Sequence, residues 1–173
     1  MEFKKGQIFF WRSSNTFFSL VIKLYNYKKF NDADLPTHVG IITKVEKTRV
    51  QLHEATNKGF VKSWYDIKWL NGRIKADVVS IGECKEKLTY VEQNADKYLG
   101  IGYGWLDIIT IGLSLLTKFK FGLTGKNKII CSEAVNYVIY DSTKKINIAA
   151  EYGISTDSVT PAHIYLSTSV RIL

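Results

Sequence analysis

Cys131 occupies a position suited to nucleophilic chemistry. It lies where the short apolar run Ile129-Ile130 gives way to a helical pattern over residues 132–140. A thiol at a helix N-terminus faces unpaired backbone N–H groups and the positive end of the helix dipole, and both favour the thiolate. Cys131 also shares an apolar helix face with Ala134 and Val138, and buried cysteines are common in protein cores. A nucleophile and a core residue are therefore the two interpretations of this cysteine.

Two residues far upstream supply the partners that a cysteine nucleophile needs. Such a thiol requires a base within hydrogen-bond reach, and a third polar group holds that base in the right tautomer. His38 precedes a strand-like run at residues 39–43, and Glu54 ends the next run, residues 50–54. Because adjacent antiparallel strands bring such residues side by side, we expect Glu54 to orient His38 and His38 to deprotonate Cys131. The backbone N–H of Cys131 would then help to bind the oxyanion.

A structural histidine–glutamate pair is the alternative interpretation of His38 and Glu54. A buried carboxylate without a partner is costly, so such a pair also occurs where no chemistry takes place. The presence of Cys131 as a third member favours catalysis.

The elements that must position these residues follow a pattern of short strands and separate helices, which predicts an α+β fold with an antiparallel sheet packed against helices. The predicted strands cover residues 6–12, 39–43, 50–54, 59–63 and 76–80. The predicted helices cover residues 15–27, capped by Ser13, Ser14 or Asn15, then 83–99, stopped by Gly100, and 132–140. Loops are expected at residues 28–36, 71–72 and 144–157, an apolar segment at 105–116, and a β-like end after His163.

Size and composition predict one domain spanning residues 1–173. The chain has 46% hydrophobic and 23% charged residues, which suits a globular protein with a substantial core. It contains no run of about 18 apolar residues, so we expect no transmembrane helix. The first residues lack the pattern of a signal peptide, and we therefore expect a cytoplasmic or membrane-surface location. Two cysteines do not make a disulfide framework, and Cys84 is expected to be structural.

The charge balance bears on partners and cofactors. With 24 Lys and Arg against 16 Asp and Glu, the formal net charge is +8. The basic residues are scattered and no nucleic-acid motif is present, so no nucleic acid is expected as a partner. Contact of the apolar segments with an anionic, partly lipidic surface is one interpretation, and core packing is the other. Three histidines and two cysteines give no zinc-ligand spacing, and no cofactor or metal is expected; His163 is expected to be a surface or core residue.

Five motifs in a fixed order resemble those of the circularly permuted, papain-like cysteine hydrolases of the NlpC superfamily. That group includes bacterial amidase-like proteins and poxvirus relatives, with lecithin retinol acyltransferase as a distant cousin. In the permuted branch the histidine and the acid precede the cysteine, as they do here. The motifs are Gly6-Gln7-Ile8-Phe9-Phe10, His38-Val39-Gly40-Ile41, Glu54-Ala55 with Lys58-Gly59-Phe60-Val61, Gly102-Tyr103-Gly104-Trp105 and Cys131-Ser132-Glu133-Ala134-Val135.

This resemblance implies a triad of Cys131, His38 and Glu54, with Tyr103 as a residue of the substrate pocket. Gln7 departs from the aspartate that the family usually has there. His53 is an alternative to Glu54, because the acyltransferase cousins use a second histidine near this point. Strand alternation lets only one of the two face His38, and we favour Glu54.

The function expected is hydrolysis of an amide, isopeptide or ester bond through a thioester. The resemblance implies peptide, peptidoglycan-type or acyl-lipid substrates. Two alternatives stay open, namely a lipid acyltransferase or phospholipase and a module of the same fold that binds peptide or lipid without turnover.

Overall fold

A six-stranded antiparallel sheet organises the protein. The structure is a computed structural model and describes residues 2–12, 16–104, 108 and 128–173. The strands of the sheet are β1 (Ile8–Trp11), β2 (His38–Val45), β3 (Arg49–Thr56), β4 (Gly59–Asp66), β5 (Val79–Cys84) and β8 (Val170–Ile172). Their order across the sheet is β4-β3-β2-β1-β5-β8. Two short strands, β6 (Gly102–Tyr103) and β7 (Lys128–Ile129), form a separate parallel pair.

Helices cover both faces of this sheet. They are α1 (Phe17–Phe30), α2 (Ile67–Lys75), α3 (Val91–Asp96), α4 (Cys131–Thr143), α5 (Ile148–Glu151) and α6 (Pro161–Leu166). Alternation along β1 sends Ile8 and Phe10 into one cluster with Val135 of α4, and sends Phe9 into a second cluster with Leu70 of α2. The helix that begins at Cys131 therefore packs on one face, with α2 on the other.

The predicted α+β class is confirmed. The strands predicted at residues 39–43, 50–54 and 59–63 are present, and each continues beyond its predicted end. The apolar segment predicted at residues 105–116 lies outside the described residues except for Ile108, which is buried.

The first helix is longer than predicted. It runs through Phe30 and ends at Asn31, whose left-handed φ of 57° closes it. The loop predicted at residues 28–36 therefore begins three residues later. Phe30 belongs to the helix because its ring packs edge-on against His163. The caps predicted at residues 13–15 lie outside the described residues, and Thr16 caps the helix by accepting the N–H of Ser19 at 3.3 Å.

The loop predicted at Asn71-Gly72 is wrong, because both residues lie inside α2. Asp66 starts this helix by accepting the N–H of Trp69 at 3.0 Å. Leu70 is fully buried against the sheet. Packing of this residue and the cap at Asp66 outweigh the turn preference of the Asn-Gly pair.

The helix predicted over residues 83–99 is also wrong, since only Val91–Asp96 is helical. Glu83 and Cys84 end β5 instead, where they pair with Arg171 and Val170 of β8. Residues whose local spacing suits a helix thus form a strand, because they pair with β8 from the far end of the chain. Their hydrogen bonds belong to the sheet.

The closing segment corrects two further expectations. The residues directly after His163, predicted to be β-like, are helical as far as Leu166, because Pro161 at the first position and Thr160 before it begin α6; the strand β8 follows only at Val170–Ile172. The stretch expected to be irregular at residues 144–157 contains the short helix α5, capped by Asn147.

The assignment of Gly72 to a helix interior can be tested by substitution. A Cβ added at Gly72 meets no atom within 4 Å. Gly72→Ala should therefore raise the free energy of unfolding by about 0.5–1 kcal/mol, measured by urea denaturation. Gly100 is the matched control, because it has equally open space but a φ of +79°. Gly100→Ala should destabilise the protein, and a destabilised Gly72→Ala would contradict the helix.

Candidate functional site

His38 and Glu54 form a short hydrogen bond on one face of the sheet. His38 is the first residue of β2, and its Nε2–H donates to Oε2 of Glu54 at 2.7 Å. In the register of β2 and β3, Glu54 lies opposite Gly40, so the contact with His38 runs diagonally. A Cβ at Gly40 would lie 3.2 Å from the Cβ of Glu54. Because Gly40 has no side chain, the space beside it is free for the side chain of Glu54.

Tyr65 holds the second oxygen of the same carboxylate. Its hydroxyl donates to Oε1 of Glu54 at 2.7 Å. Burial alone would raise the pKa of Glu54, but hydrogen bonds from His38, Ser63 and Tyr65 and the charge of His38 hold that pKa below its ordinary value. The carboxylate is therefore ionised at neutral pH and fixes a proton on Nε2 of His38.

Tyr65 also connects this carboxylate to a cluster of aromatic rings. Its ring stacks on Trp69 with centroids 5.7 Å apart, and Trp69 lies 5.6 Å from Trp11 of β1. The stacking limits rotation of the Tyr65 ring, so the hydroxyl stays directed at Glu54.

Cys131 is the first residue of α4 and interacts with the same histidine. Cys131 lies close enough to His38 for its side chain to raise the pKa of the imidazole. Since Nε2 is bonded to Glu54, Nδ1 is the ring nitrogen left for the sulfur. Burial would lower the pKa of His38, but the charge and hydrogen bond of Cys131, followed by those of Glu54, raise it to about 10. The structure thus brings together three of the predicted site residues.

A cleft of about 740 Å³ opens beside these residues. His38, Glu54 and Tyr103 are on its wall, whereas Cys131 is 2% exposed and does not line it. Two lysines, Lys58 and Lys128, also line the cleft. Its apolar and aromatic lining comes from four strands and α1, and comprises Trp11, Phe18, Ile22, Ala55, Tyr65 and Tyr103.

Tyr103 reaches the cleft because the chain before it lies against β4. The N–H of Phe60 donates to the carbonyl of Ile101 at 2.8 Å. Gly59 permits this approach, since it has a φ of +96° and a Cβ there would lie 2.5 Å from the same carbonyl oxygen. Burial and the charge of Cys131 raise the pKa of Tyr103, so its hydroxyl keeps its proton at neutral pH.

His53 lies on the opposite face of β3 from Glu54 and does not contact His38. Its Nε2–H donates to Asp96 at 2.7 Å, and the hydroxyl of Thr43 donates to its Nδ1 at 2.8 Å. Of the two candidates for the orienting position, Glu54 is the one beside His38. His53 instead connects β3 with α3.

The remaining residues singled out in the sequence lie apart from the cleft lining. Gln7 accepts the N–H of Lys4 at 2.8 Å and donates to Glu83 at 3.0 Å. Burial raises the pKa of Cys84 to about 12, so this thiol stays protonated. His163 is fully buried, which identifies it as a core histidine.

Tyr65 is the residue of this site that the sequence patterns did not indicate. The predicted strand ended at Ser63, three residues before the end of β4 and two before Tyr65. Alternation along the full strand Gly59–Asp66 places Tyr65 opposite Val50, on the face of Glu54. A longer strand prediction would have revealed it.

Within residues 2–12, 16–104, 108 and 128–173, no group of three or more His, Cys, Asp or Glu side chains is arranged to hold a metal ion. Over the described ranges, no helix combines the length and apolar character needed to cross a membrane. Comparisons of the chain with family models, curated proteins and solved structures gave no match.

The raised pKa of His38 predicts a specific dependence of stability on pH. A group whose pKa is higher in the folded state contributes stability that is present below its unfolded value, 6.5, and is lost as the pH rises toward about 10. Denaturant unfolding of the wild type and of His38→Gln should therefore show a stability difference that shrinks between these two pH values.

His53 provides a control of opposite sign. Burial lowers the pKa of His53 despite its bond to Asp96. The contribution of His53 to the free energy of unfolding should therefore be lost as the pH falls below 6.5. The measurement is denaturant unfolding of the wild type and of His53→Gln. If the wild type exceeds His38→Gln in free energy of unfolding by a constant amount from pH 6.5 to 10, the arrangement of His38 with Cys131 and Glu54 is contradicted.

Proposed function

We propose that this protein is a cysteine hydrolase that cleaves an amide, isopeptide or ester bond through a thioester intermediate. The observation that carries the proposal is the hydrogen bond between Glu54 and His38, together with the proximity of Cys131, at the start of α4, to the same imidazole. A sulfur, an imidazole and a carboxylate in this order can transfer a proton and stabilise the resulting imidazolium. The order of the sequence motifs supports a permuted papain-like fold of the NlpC type, with which the α+β architecture is compatible.

Each of the three residues has a defined part in the reaction. The proton of the Cys131 thiol moves to Nδ1 of His38, and the carboxylate of Glu54 stabilises the imidazolium. The sulfur forms a bond to the substrate carbonyl carbon, and the π electrons move to the oxygen. Collapse of this adduct breaks the bond to the leaving amine or alcohol, which takes the proton from His38. Water then gives a proton to His38, attacks the thioester and releases the acid and the thiol.

Two groups are placed to stabilise the oxyanion. The backbone N–H of Cys131 is at the N-terminus of α4, where N–H groups have no partner inside the helix. Tyr103 lines the cleft, and its hydroxyl keeps its proton. We assign both as donors to the developing negative charge.

The lining of the cleft favours a substrate with an apolar part and an anionic group. Aromatic side chains form much of the wall, and Lys58 and Lys128 add positive charge. The negative charge of Glu54 repels a substrate anion only weakly, because that charge is already paired with His38. Peptidoglycan-type peptides, isopeptides and acyl lipids all include molecules of this kind. Transfer to an alcohol or amine in place of water would make the protein an acyltransferase.

A binding module without turnover is the second candidate function. One observation favours it, namely that the sulfur of Cys131 belongs to a residue only 2% exposed and outside the cleft lining. A ligand can therefore fill the cleft against His38 and Tyr103 without reaching the sulfur. The two functions differ in whether the thiol reacts.

Thiol labelling separates these two functions. Cys131 should react with iodoacetamide much faster than Cys84, measured by mass spectrometry of peptides. His38→Ala should slow labelling of Cys131 by about a hundredfold, the effect of losing a positioned base. Cys84 is the internal control, because the change at His38 should leave its rate unaltered. Equally slow labelling of both thiols would favour the binding module.

Turnover assays on peptidoglycan fragments, isopeptide conjugates and acyl lipids test the roles of Glu54 and Tyr65. Cys131→Ala should abolish turnover and leave the circular dichroism spectrum unchanged. Glu54→Gln should lower kcat/KM by about a hundredfold or more, since the neutral amide no longer stabilises the imidazolium.

Tyr65→Phe removes one hydrogen bond to the carboxylate and keeps the ring, so we expect a loss of kcat/KM under about tenfold. One outcome would contradict the assigned role of Glu54 in the reaction. In that outcome, Glu54→Gln lowers the free energy of unfolding while the fraction that remains native keeps full activity. Glu54 would then be a structural residue.

A further inference from the structure

Helix α1 presents large apolar side chains on its outer face. Phe17, Leu20, Leu24 and Tyr27 are 64%, 54%, 45% and 57% exposed. At 3.6 residues per turn, positions separated by three and four residues lie on one side of a helix. These four residues form a continuous strip, which we call the α1 stripe.

The inner face of the same helix explains why the α1 stripe points outward. Ser19, Ile22 and Asn26 are buried, and the side-chain N–H groups of Asn26 donate to the carbonyls of Leu35 and Pro36 at 3.3 Å. These polar contacts fix the rotation of α1. A helix that buries Ser and Asn while exposing Phe and Leu reverses the usual pattern, and such exposed patches mark contact surfaces.

The charges on α1 indicate which surface it contacts. The helix has three lysines, Lys23, Lys28 and Lys29, and no acidic residue. At helical spacing Lys23 lies on one side of the α1 stripe and Lys28 on the other. In the part of the chain that the structure describes, no carboxylate lies within ion-pair distance of any of the three.

We propose that the α1 stripe docks on an anionic lipid bilayer. The apolar side chains enter the boundary between headgroups and acyl chains, while Lys23 and Lys28 extend to the phosphates on either side. A second copy of the chain fits this surface poorly, because two α1 helices would bring six lysines together without a carboxylate between them.

Docking of α1 also sets the position of the cleft. Phe18 and Ile22, on the cleft side of the helix, line that cavity. One helix therefore has the lipid on one side and the cleft on the other. The docking does not depend on the proposed hydrolase activity, since it uses none of the residues assigned to the reaction.

Vesicle co-sedimentation of the full chain tests the proposal. Vesicles of phosphatidylcholine with phosphatidylglycerol should bind the protein, and vesicles of phosphatidylcholine alone should bind it at least about tenfold more weakly. The double variant Leu20→Ser, Leu24→Ser should lose at least about tenfold in partitioning to the anionic vesicles. Lys23→Glu with Lys28→Glu should abolish the preference for phosphatidylglycerol.

Matched controls keep these results specific to α1. Leu166→Ser replaces an apolar residue of α6 that is 43% exposed, and Lys68→Glu reverses an exposed lysine of α2. Both should bind vesicles as the wild type does, and circular dichroism should show every variant folded. Equal binding to both vesicle types, no binding to either, or a dimer in light scattering that the α1 double variant abolishes would overturn the proposal.

Discussion

The hydrogen bond between His38 and Glu54 is the interaction on which the site depends. Its length of 2.7 Å follows from two neighbouring strands whose register places Gly40 opposite the glutamate. The sheet therefore sets the distance before any ligand arrives, and little side-chain entropy remains to be lost. The same bond engages one ring nitrogen and leaves the other for Cys131. A rigid sheet face and a helix start thus meet at one imidazole.

The helix that begins at Cys131 is anchored independently of that hydrogen bond. Val135, Val138 and Ile139 of α4 are buried against the sheet, so the start of the helix is held by packing along its length. The hydroxyl of Ser132 also donates to the carbonyl of Val159 at 2.6 Å, which connects the first turn to the segment before α6. Two separate sets of contacts therefore position the sulfur and the imidazole, and their meeting point borders the cleft.

The site residues were more predictable from the sequence than the elements around them. The start of a β-branched run marks His38, alternation separates Glu54 from His53, and the change from strand to helix marks Cys131; each of these signals is local. The signals that failed were those that packing on the sheet or pairing with a distant strand overrides. Cys84 has helix-like neighbours but pairs with Val170, and Asn71 has a turn-like neighbour but lies in a helix held by Leu70. The cleft itself required the position of α1, which no local pattern specifies.

The aromatic cluster beside the carboxylate gives the protein a built-in optical reporter. Trp11 lines the cleft, and its ring lies 5.6 Å from that of Trp69, which stacks on Tyr65. Indole emission responds to the polarity and mobility of its surroundings, so a molecule that displaces water from this cavity changes the light that these tryptophans emit. Occupancy of the cavity thus becomes visible without a label, for a ligand that reacts and for one that only binds.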